Sequence, residues 1–301
     1  MNKTLKTTII TSVAAMLCSM SFAQNSAPVA AAPAAAQPAA ATQQSSSSMM
    51  DDILTPSLKK FSASVTVGYE SSYVFRGIKI SDSSIQPEIA LGYALTDALG
   101  VYASVWSTTP FESDDSNEID FNLGATYSIA GFTFDAGYTH YWYTSSHIGL
   151  ATNELKVGVA YDTSAVLSKV SSVFADLAIT PSFYYYYDLD LHANTIELAV
   201  SASAPVSKWF LGEDMDFLSV ESSLYYGYST SDRYKDETGW HGSTNSYSYV
   251  GASADLVWKI NDMCRASIGI RWAANNNNPE GAGNSDNEQL LWGGGSVSMG
   301  F

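Results

Sequence analysis

Charge is scarce in this chain, and what there is leans one way. Of 301 residues only 15% are Asp, Glu, Lys or Arg, against roughly 25% in soluble domains. Lys and Arg number 14 against 30 acidic residues, a net charge of −16. Nucleic-acid binding needs clustered Lys and Arg to neutralise phosphates, so no nucleic-acid partner is expected. Cysteine is nearly absent. Cys18 and Cys264 supply neither a disulfide scaffold nor a Cys-based zinc site. After residue 23 no apolar run reaches the roughly 18 residues that a membrane-spanning helix requires. Aromatic residues, by contrast, are plentiful, 13% of the chain with 19 Tyr, and the chain is too apolar for global disorder. The classes that remain are a soluble all-β protein and a membrane β-barrel.

The N-terminus sets the compartment. Lys3 and Lys6 precede an uncharged, mostly apolar stretch from Thr7 to Met20, and Ser21-Phe22-Ala23 forms a small-x-small site before Gln24. Residues 1–23 therefore read as a secretory signal peptide. A lipoprotein signal would use Cys18, but Leu17 is too large for the residue before a lipidated cysteine. Cleavage after Ala23 makes Cys264 the only cysteine of the mature chain, and it reads as a small apolar wall residue rather than a reactive thiol. Residues 24–60 begin with a long run of Ala, Pro, Gln and Ser. Such a segment buries too little apolar surface to offset the entropy of ordering, so a disordered periplasmic linker is expected.

From Phe61 the hydrophobic period becomes 2. Phe61, Ala63, Val65, Val67 and Tyr69 alternate with Ser62, Ser64, Thr66, Gly68 and Glu70, and the pattern returns over 85–95, 118–129, 154–161 and 195–202. Each reads as a strand with one apolar and one polar face. Less regular strands fall at 101–108, 132–143, 173–187, 217–228, 246–258, 263–273 and 288–301. Residues 61–301 thus hold about twelve strands, an even number as single-chain bacterial barrels require. The expected fold is an all-β, antiparallel up-and-down transmembrane β-barrel. Alternation alone also fits a soluble barrel. Three features point to lipid on the apolar side. Aromatic clusters at strand ends (Tyr69/Tyr73/Phe75, Tyr138/Tyr141/Trp142/Tyr143, Phe183 to Tyr187, Tyr225/Tyr226/Tyr228) suit interfacial girdles. Connections tend to alternate short and long. The chain ends in Phe301 with Met299 and Val297 on the same face, like the strand that the barrel-assembly machinery reads. The connections 162–172 and 207–216 are longer than simple turns.

Ser72-Tyr73-Val74-Phe75-Arg76-Gly77-Ile78, read as the end of the first strand, resembles the YVFRG signature of the TorF-like porin family. Ser81, Gln86-Pro87, Val101 to Ser107, Glu118-Ile119-Asp120 and the segment Phe132 to Tyr138 extend the resemblance over about 69–143. It departs after Pro87, where Glu88-Ile89-Ala90-Leu91-Gly92 replaces the family's small residue, Gln and glycines. The resemblance implies a bacterial outer-membrane barrel, a channel in function, and supplies no catalytic residues.

The residues that could set such a channel's selectivity are the charges on the polar faces. Arg76 reads either as a pore-mouth guanidinium or as an ion pair bracing the first hairpin, and the fit of the Arg fork to carboxylates favours the second. Glu70, Glu88, Glu118, Asp120, Asp135, Glu154, Asp176, Glu197 and Glu221 share the polar face with Lys156, Arg265 and Arg271. If all line one lumen, acids outnumber bases there. That suits a cation-preferring pore for small solutes, or a plugged lumen in which the charges pair. No enzyme is expected. His140 lies on an outward parity, while His147, His192 and His241 fall in loops. No nucleophile elbow or zinc helix motif is present, and Asp188 to His192 reads as a solvated loop, so neither cofactor nor metal is expected. The expected partners are outer-membrane lipid, the assembly machinery and small solutes. A non-transport barrel with a structural or adhesive role is the alternative, and an outer-membrane hydrolase the third reading.

The terminal aromatic yields a direct test. Removing Phe301 is expected to lower the amount of heat-modifiable barrel in the outer membrane while leaving export intact. Undiminished levels would remove the assembly role from this residue.

Overall fold

Strands with one apolar face and one polar face must hide one of them, and every edge leaves backbone groups unpaired. Rolling the sheet into a closed ring satisfies both demands. The computed structural model describes residues 60–112, 117–144, 151–170, 176–212, 215–232, 245–277 and 288–301. The chain runs β1 (Phe61–Glu70), β2 (Tyr73–Phe75), β3 (Ile78–Ser81), β4 (Ser84–Ala94), β5 (Leu99–Pro110), β6 (Glu118–Ile129), β7 (Phe132–Tyr143) and β8 (Ala151–Tyr161). It continues through a short helix α1 (Ser164–Val170), β9 (Ala178–Asp188), β10 (Asn194–Ala204), α2 (Val206–Leu211), β11 (Leu218–Thr230), β12 (Ser246–Lys259), β13 (Cys264–Asn275) and β14 (Glu288–Gly300). Twelve of these strands form one closed antiparallel barrel in sequence order, with β2 and β3 apart as a separate two-stranded sheet. The ring is sealed by β1 against β14, from Ser64 opposite Gly300 to Glu70 opposite Gly294. At the seam the Ala63 and Phe301 backbones also bond to each other.

The barrel is apolar outside and polar inside. Val65, Val67, Ile89, Leu91, Leu123, Val157, Leu198, Leu224, Ile268, Ile270 and Leu291 are all exposed, whereas Thr66, Glu88, Glu118, Asp120, Asp135, Glu154, Glu197 and Arg271 are buried. At roughly 25 cal/mol per Å² of apolar surface, water would disfavour this exterior, and hydrocarbon does not. The architecture is that of a transmembrane barrel.

All twelve expected strands are present, and three details depart from expectation. The first strand stops at Glu70, so Tyr73 to Ser81 is not its end but a separate hairpin. The strand expected from 173 begins at Ala178, and Asp176 lies outside the sheet, ion-paired to Lys208 at 3.5 Å. The two long connections hold α1 and α2. The expected signal peptide, most of the linker, and the centres of the longer polar connections at 113–116, 145–150, 233–244 and 278–287 lie outside the described residues.

Glycines decide how large side chains fit inside. Tyr102 is directly opposite Gly124, Tyr184 opposite Gly158, Tyr225 opposite Gly251 and Tyr249 opposite Gly227. In each pair the ring lies where a Cβ on the glycine would stand, 2.0 to 2.3 Å from the nearest ring or hydroxyl atom. The tyrosines therefore lie back against the wall instead of projecting across the lumen, a stacking of aromatic on glycine that also pins register. Gly227→Ala is expected to destabilise the barrel by about 1–3 kcal/mol through overpacking, read from urea unfolding in detergent. In a Tyr249→Ala background the same change should cost far less. An equal cost in both backgrounds would refute the pairing.

Candidate functional site

Only one described connection folds back into the ring. After Glu70 the chain is held at the rim, where the Ser71 N–H donates to the Gly293 carbonyl at 2.9 Å and the Gly293 N–H donates to Ser71 Oγ at 3.1 Å. It then turns inward as the β2–β3 hairpin. Phe75 faces Ile78 across a two-residue turn in which Arg76 has φ 49° and Gly77 φ 79°, the positive pair that tight type I′ hairpins need. Glycine takes this conformation freely, and a Cβ at Gly77 would also meet Tyr249 Cβ at 2.7 Å. Arginine in the left-handed region costs about 1 kcal/mol, which its contacts must offset.

Those contacts reach the wall on nearly every side. Tyr73 Oη donates to Glu118 Oε2 at 2.8 Å, and its ring packs on Trp106. Val74 is buried with Ala273 and Trp292. Ile78 is buried among Ala193, Ala199, Tyr225, Tyr247 and Tyr249. Asn275 Nδ2 donates to the Gly77 carbonyl at 2.7 Å. At the tip, Arg76 Nη1 and Nη2 donate to Glu154 Oε2 and Oε1 at 2.7 and 2.9 Å. The guanidinium lies 4.7 Å from the Phe75 ring centre and 4.5 Å from that of Tyr186. Tyr141 Oη adds a hydrogen bond to Glu154 Oε1 at 3.0 Å. The Arg76 and Glu154 side chains are 14% and 4% exposed, so the pair is withdrawn from bulk solvent and held by a fork of charge-assisted bonds.

Two further ion-pair groups brace the wall. Arg271 on β13 reaches Glu70 on β1 with Nε at 3.2 Å and Asp255 on β12 with Nη2 at 2.8 Å. Glu70, Gly294, Gly269 and Asp255 form one row across β1, β14, β13 and β12, so both carboxylates lie over glycines. The second group repeats the device. Tyr102, Gly124, Gly137 and Lys156 form a row across β5 to β8. Lys156 Nζ lies 3.2 Å from Asp135 Oδ2, and Tyr102 Oη donates to Asp135 Oδ1 at 2.9 Å.

The remaining sequence-selected residues divide by depth. Glu88 on β4 and Asp120 on β6 are both in register with Trp106 on β5 between them, and Glu118 is the next inward position from Asp120 on β6, which places three carboxyl groups on the two strands that flank β5. Glu197 accepts a hydrogen bond from Tyr249 Oη at 2.7 Å. Arg265 is opposite Lys259 and Ser298 near the chain-terminus end of the barrel, away from the hairpin. Phe301 is exposed at that same end. Arg76, expected near the outer end of strand one, is instead at the tip of the inserted hairpin, because the positive-φ turn reverses the chain into the lumen. The aromatic clusters also need correction. Tyr73, Tyr141, Tyr184 and Tyr225 are buried inside and belong to no girdle. A run of consecutive aromatics on a strand sends every second ring inward, and strand parity with Thr139, Ser182 and Ser223 marks which ones. Asp255, absent from the sequence-selected charges, pairs with Arg271, and its inward parity with Ser253 is the signal that marks it.

The arrangement is a polar lumen crossed by an arginine-tipped hairpin. No curated protein sequence matches the chain. Among solved structures, an outer membrane channel from Pseudomonas putida F1 is similar at TM-score 0.50 and 10% identity, over 80% of this chain and 95% of that one. LpxR from Salmonella typhimurium is similar at TM-score 0.48 and 8% identity, over 79% and 99% of the respective chains. The KdgM porin follows at TM-score 0.44 and 9% identity, over 80% and 99%. The first of these likenesses carries the barrel fold and nothing finer. Residues 56–257 match the profile of a bacterial protein family of unknown function, Gcw_chp, and the chain belongs to that family.

Proposed function

We propose that this protein is an outer-membrane channel, of the TorF-like porin kind, through which small solutes diffuse passively and cations are preferred. The observation that carries the reading is the charge on the inner wall. Arg76, Lys156 and Arg271 are paired with Glu154, Asp135, Glu70 and Asp255. Glu88, Glu118, Asp120 and Glu197 add further carboxyl groups to the same wall. Acids outnumber bases on this wall, and ionised carboxylates removed from water cost several kcal/mol each, so in this reading water admitted around the hairpin is what keeps the excess carboxyl groups charged. The similar fold of the Pseudomonas putida channel supports transport, and the apolar exterior supports an outer-membrane location after export by the N-terminal signal. In this reading lipid surrounds the barrel, the assembly machinery inserts it by its C-terminal strand, and the hairpin end faces outward.

The hairpin is the constriction. Its engagement with so many wall strands also supports a second reading, a structural barrel that never opens. Conductance separates the two, and neither requires catalysis by the chain.

Two measurements on the purified mature chain in planar bilayers test the channel. Wild type is expected to conduct weakly, with a cation-selective reversal potential in a salt gradient. A unit charge acts on an ion 4 Å away with about 1 kcal/mol in bulk water and more at lower dielectric, enough for about tenfold selectivity. Glu118→Gln with Asp120→Asn should move the reversal potential toward zero. An anion-selective wild type would shift control to Arg76, Arg265 and Arg271. Gly77→Ala, which strains the turn and collides with Tyr249, should raise conductance by loosening the hairpin. A folded Gly77→Ala barrel that stays silent, like wild type, would leave the structural reading standing.

A further inference from the structure

The tip of the hairpin occupies a site with the chemistry of a receptor. Glu154 offers both carboxylate oxygens to the two Nη atoms of Arg76, at 2.7 and 2.9 Å. Tyr141 fixes that carboxylate from behind. Tyr186 lays a ring face 4.5 Å from the guanidinium carbon, and Glu197, on the strand next to that of Tyr186 and oriented by Tyr249, adds a second carboxyl group to the same wall. A planar monocation bound in two-pronged fashion by a carboxylate and stacked on an aromatic face is a guanidinium, and an ammonium point charge cannot satisfy the fork. The wall supplies all these groups from β7, β8, β9 and β10, and the hairpin supplies only the cation and the Phe75 ring.

We infer that the lumen carries a guanidinium-binding site on Glu154, Tyr141, Tyr186 and Glu197, filled in cis by Arg76, and that free solutes bearing a guanidinium group compete for it. Arg76 is a tethered ligand. A flexible tether would give it an effective concentration of about millimolar order, and the anchored hairpin raises that value, so a competing solute acts only above it. Its departure releases the bond that holds the hairpin tip, while Tyr73 and Ser71 keep the base of the hairpin at the wall. The inference names a solute class for the channel proposed above and rests on that reading only for transport, because binding can be read without conduction.

The probe is methylguanidinium, titrated by calorimetry into the full mature chain in detergent, at constant ionic strength set with sodium chloride. Arg76→Ala vacates the site and is expected to bind the probe saturably. Arg76→Ala with Glu154→Gln should bind it about tenfold more weakly or worse, the usual loss with a charged hydrogen-bond partner. Methylammonium should also bind Arg76→Ala at least about tenfold more weakly. In the wild-type hairpin, Val74→Cys in a Cys264→Ser background should react faster with a thiol reagent as methylguanidinium is added, and no faster with methylammonium. If Arg76→Ala yields no heat-modifiable barrel, Arg76→Lys replaces it, because its single-point cation yields to the probe at lower concentration than the native fork. Absence of saturable binding, or binding indifferent to Glu154→Gln, overturns the site. Binding with no conductance in any variant leaves the site standing and defeats the channel, whereas conductance without binding defeats the site alone.

Discussion

Every large side chain that enters a twelve-stranded ring does so at a neighbour's expense. Adjacent strands lie about 4.8 Å apart, so an inward ring or long carboxylate must project across the lumen or lie over the next strand. For several of them here it lies over the next strand, and the neighbour is glycine. Tyr184, Tyr225 and Tyr249 follow this rule singly, and Tyr102 lies over Gly124 and Gly137 in turn. Glu70 and Asp255 follow it across a double glycine row. The consequence is space. Because the wall's bulk is laid flat, the lumen has room for a hairpin, and because the wall is rich in hydroxyls, carboxylates and amides, that hairpin finds hydrogen-bonding partners at Tyr73, Arg76 and Gly77.

The hairpin in turn concentrates opposing demands at Arg76. The tight turn imposes a backbone conformation that arginine disfavours, and the lumen withdraws the guanidinium from water. A buried pair of this kind is weak as a source of net stability, but removing one partner costs about 3 kcal/mol or more because the other charge is stranded. The pair therefore acts as a latch that holds firmly while intact. Contacts farther from the tip, from Tyr73 to Glu118 and from Ser71 to Gly293, do not share this dependence, so tip and base of the hairpin are separable energetically.

Much of the fold could be read from residue order. The period of 2 marked five strands cleanly and seven less regular ones, and the unusually long connections at 162–172 and 207–216 are where α1 and α2 replace simple turns. The inward set of charges also followed from parity, because Glu118, Asp120, Glu154 and Glu197 each continue a run of small polar residues. What parity could not convey was the fate of Tyr73 to Ser81. Alternation continues through Tyr73, Phe75 and Gly77 much as it does in β1, and only the positive φ at Arg76 and Gly77 shows that the chain has left the sheet. Partner choice was equally hidden. That Arg76 pairs with Glu154 rather than a nearer acid depends on the three-dimensional reach of the hairpin, and Arg271 selects Glu70 and Asp255 through two intervening glycines.

The Arg271 strap has a kinetic consequence. Asp255 and Arg271 are brought together by local pairing of β12 and β13, but Glu70 arrives only when β1 meets β14, the contact of greatest sequence separation in the barrel. Loop closure over so long a chain is entropically late. The half-formed sheet thus carries Arg271 with one of its two carboxylates, and the last strand to dock brings the second. A slip of the seam by two residues would keep the inward face inward, yet it would move Glu70 off Gly294 and opposite Trp292 or Ser296, whose Cβ would stand where the carboxylate lies over glycine. Charge and steric fit at this one row therefore proofread the register at which the ring shuts.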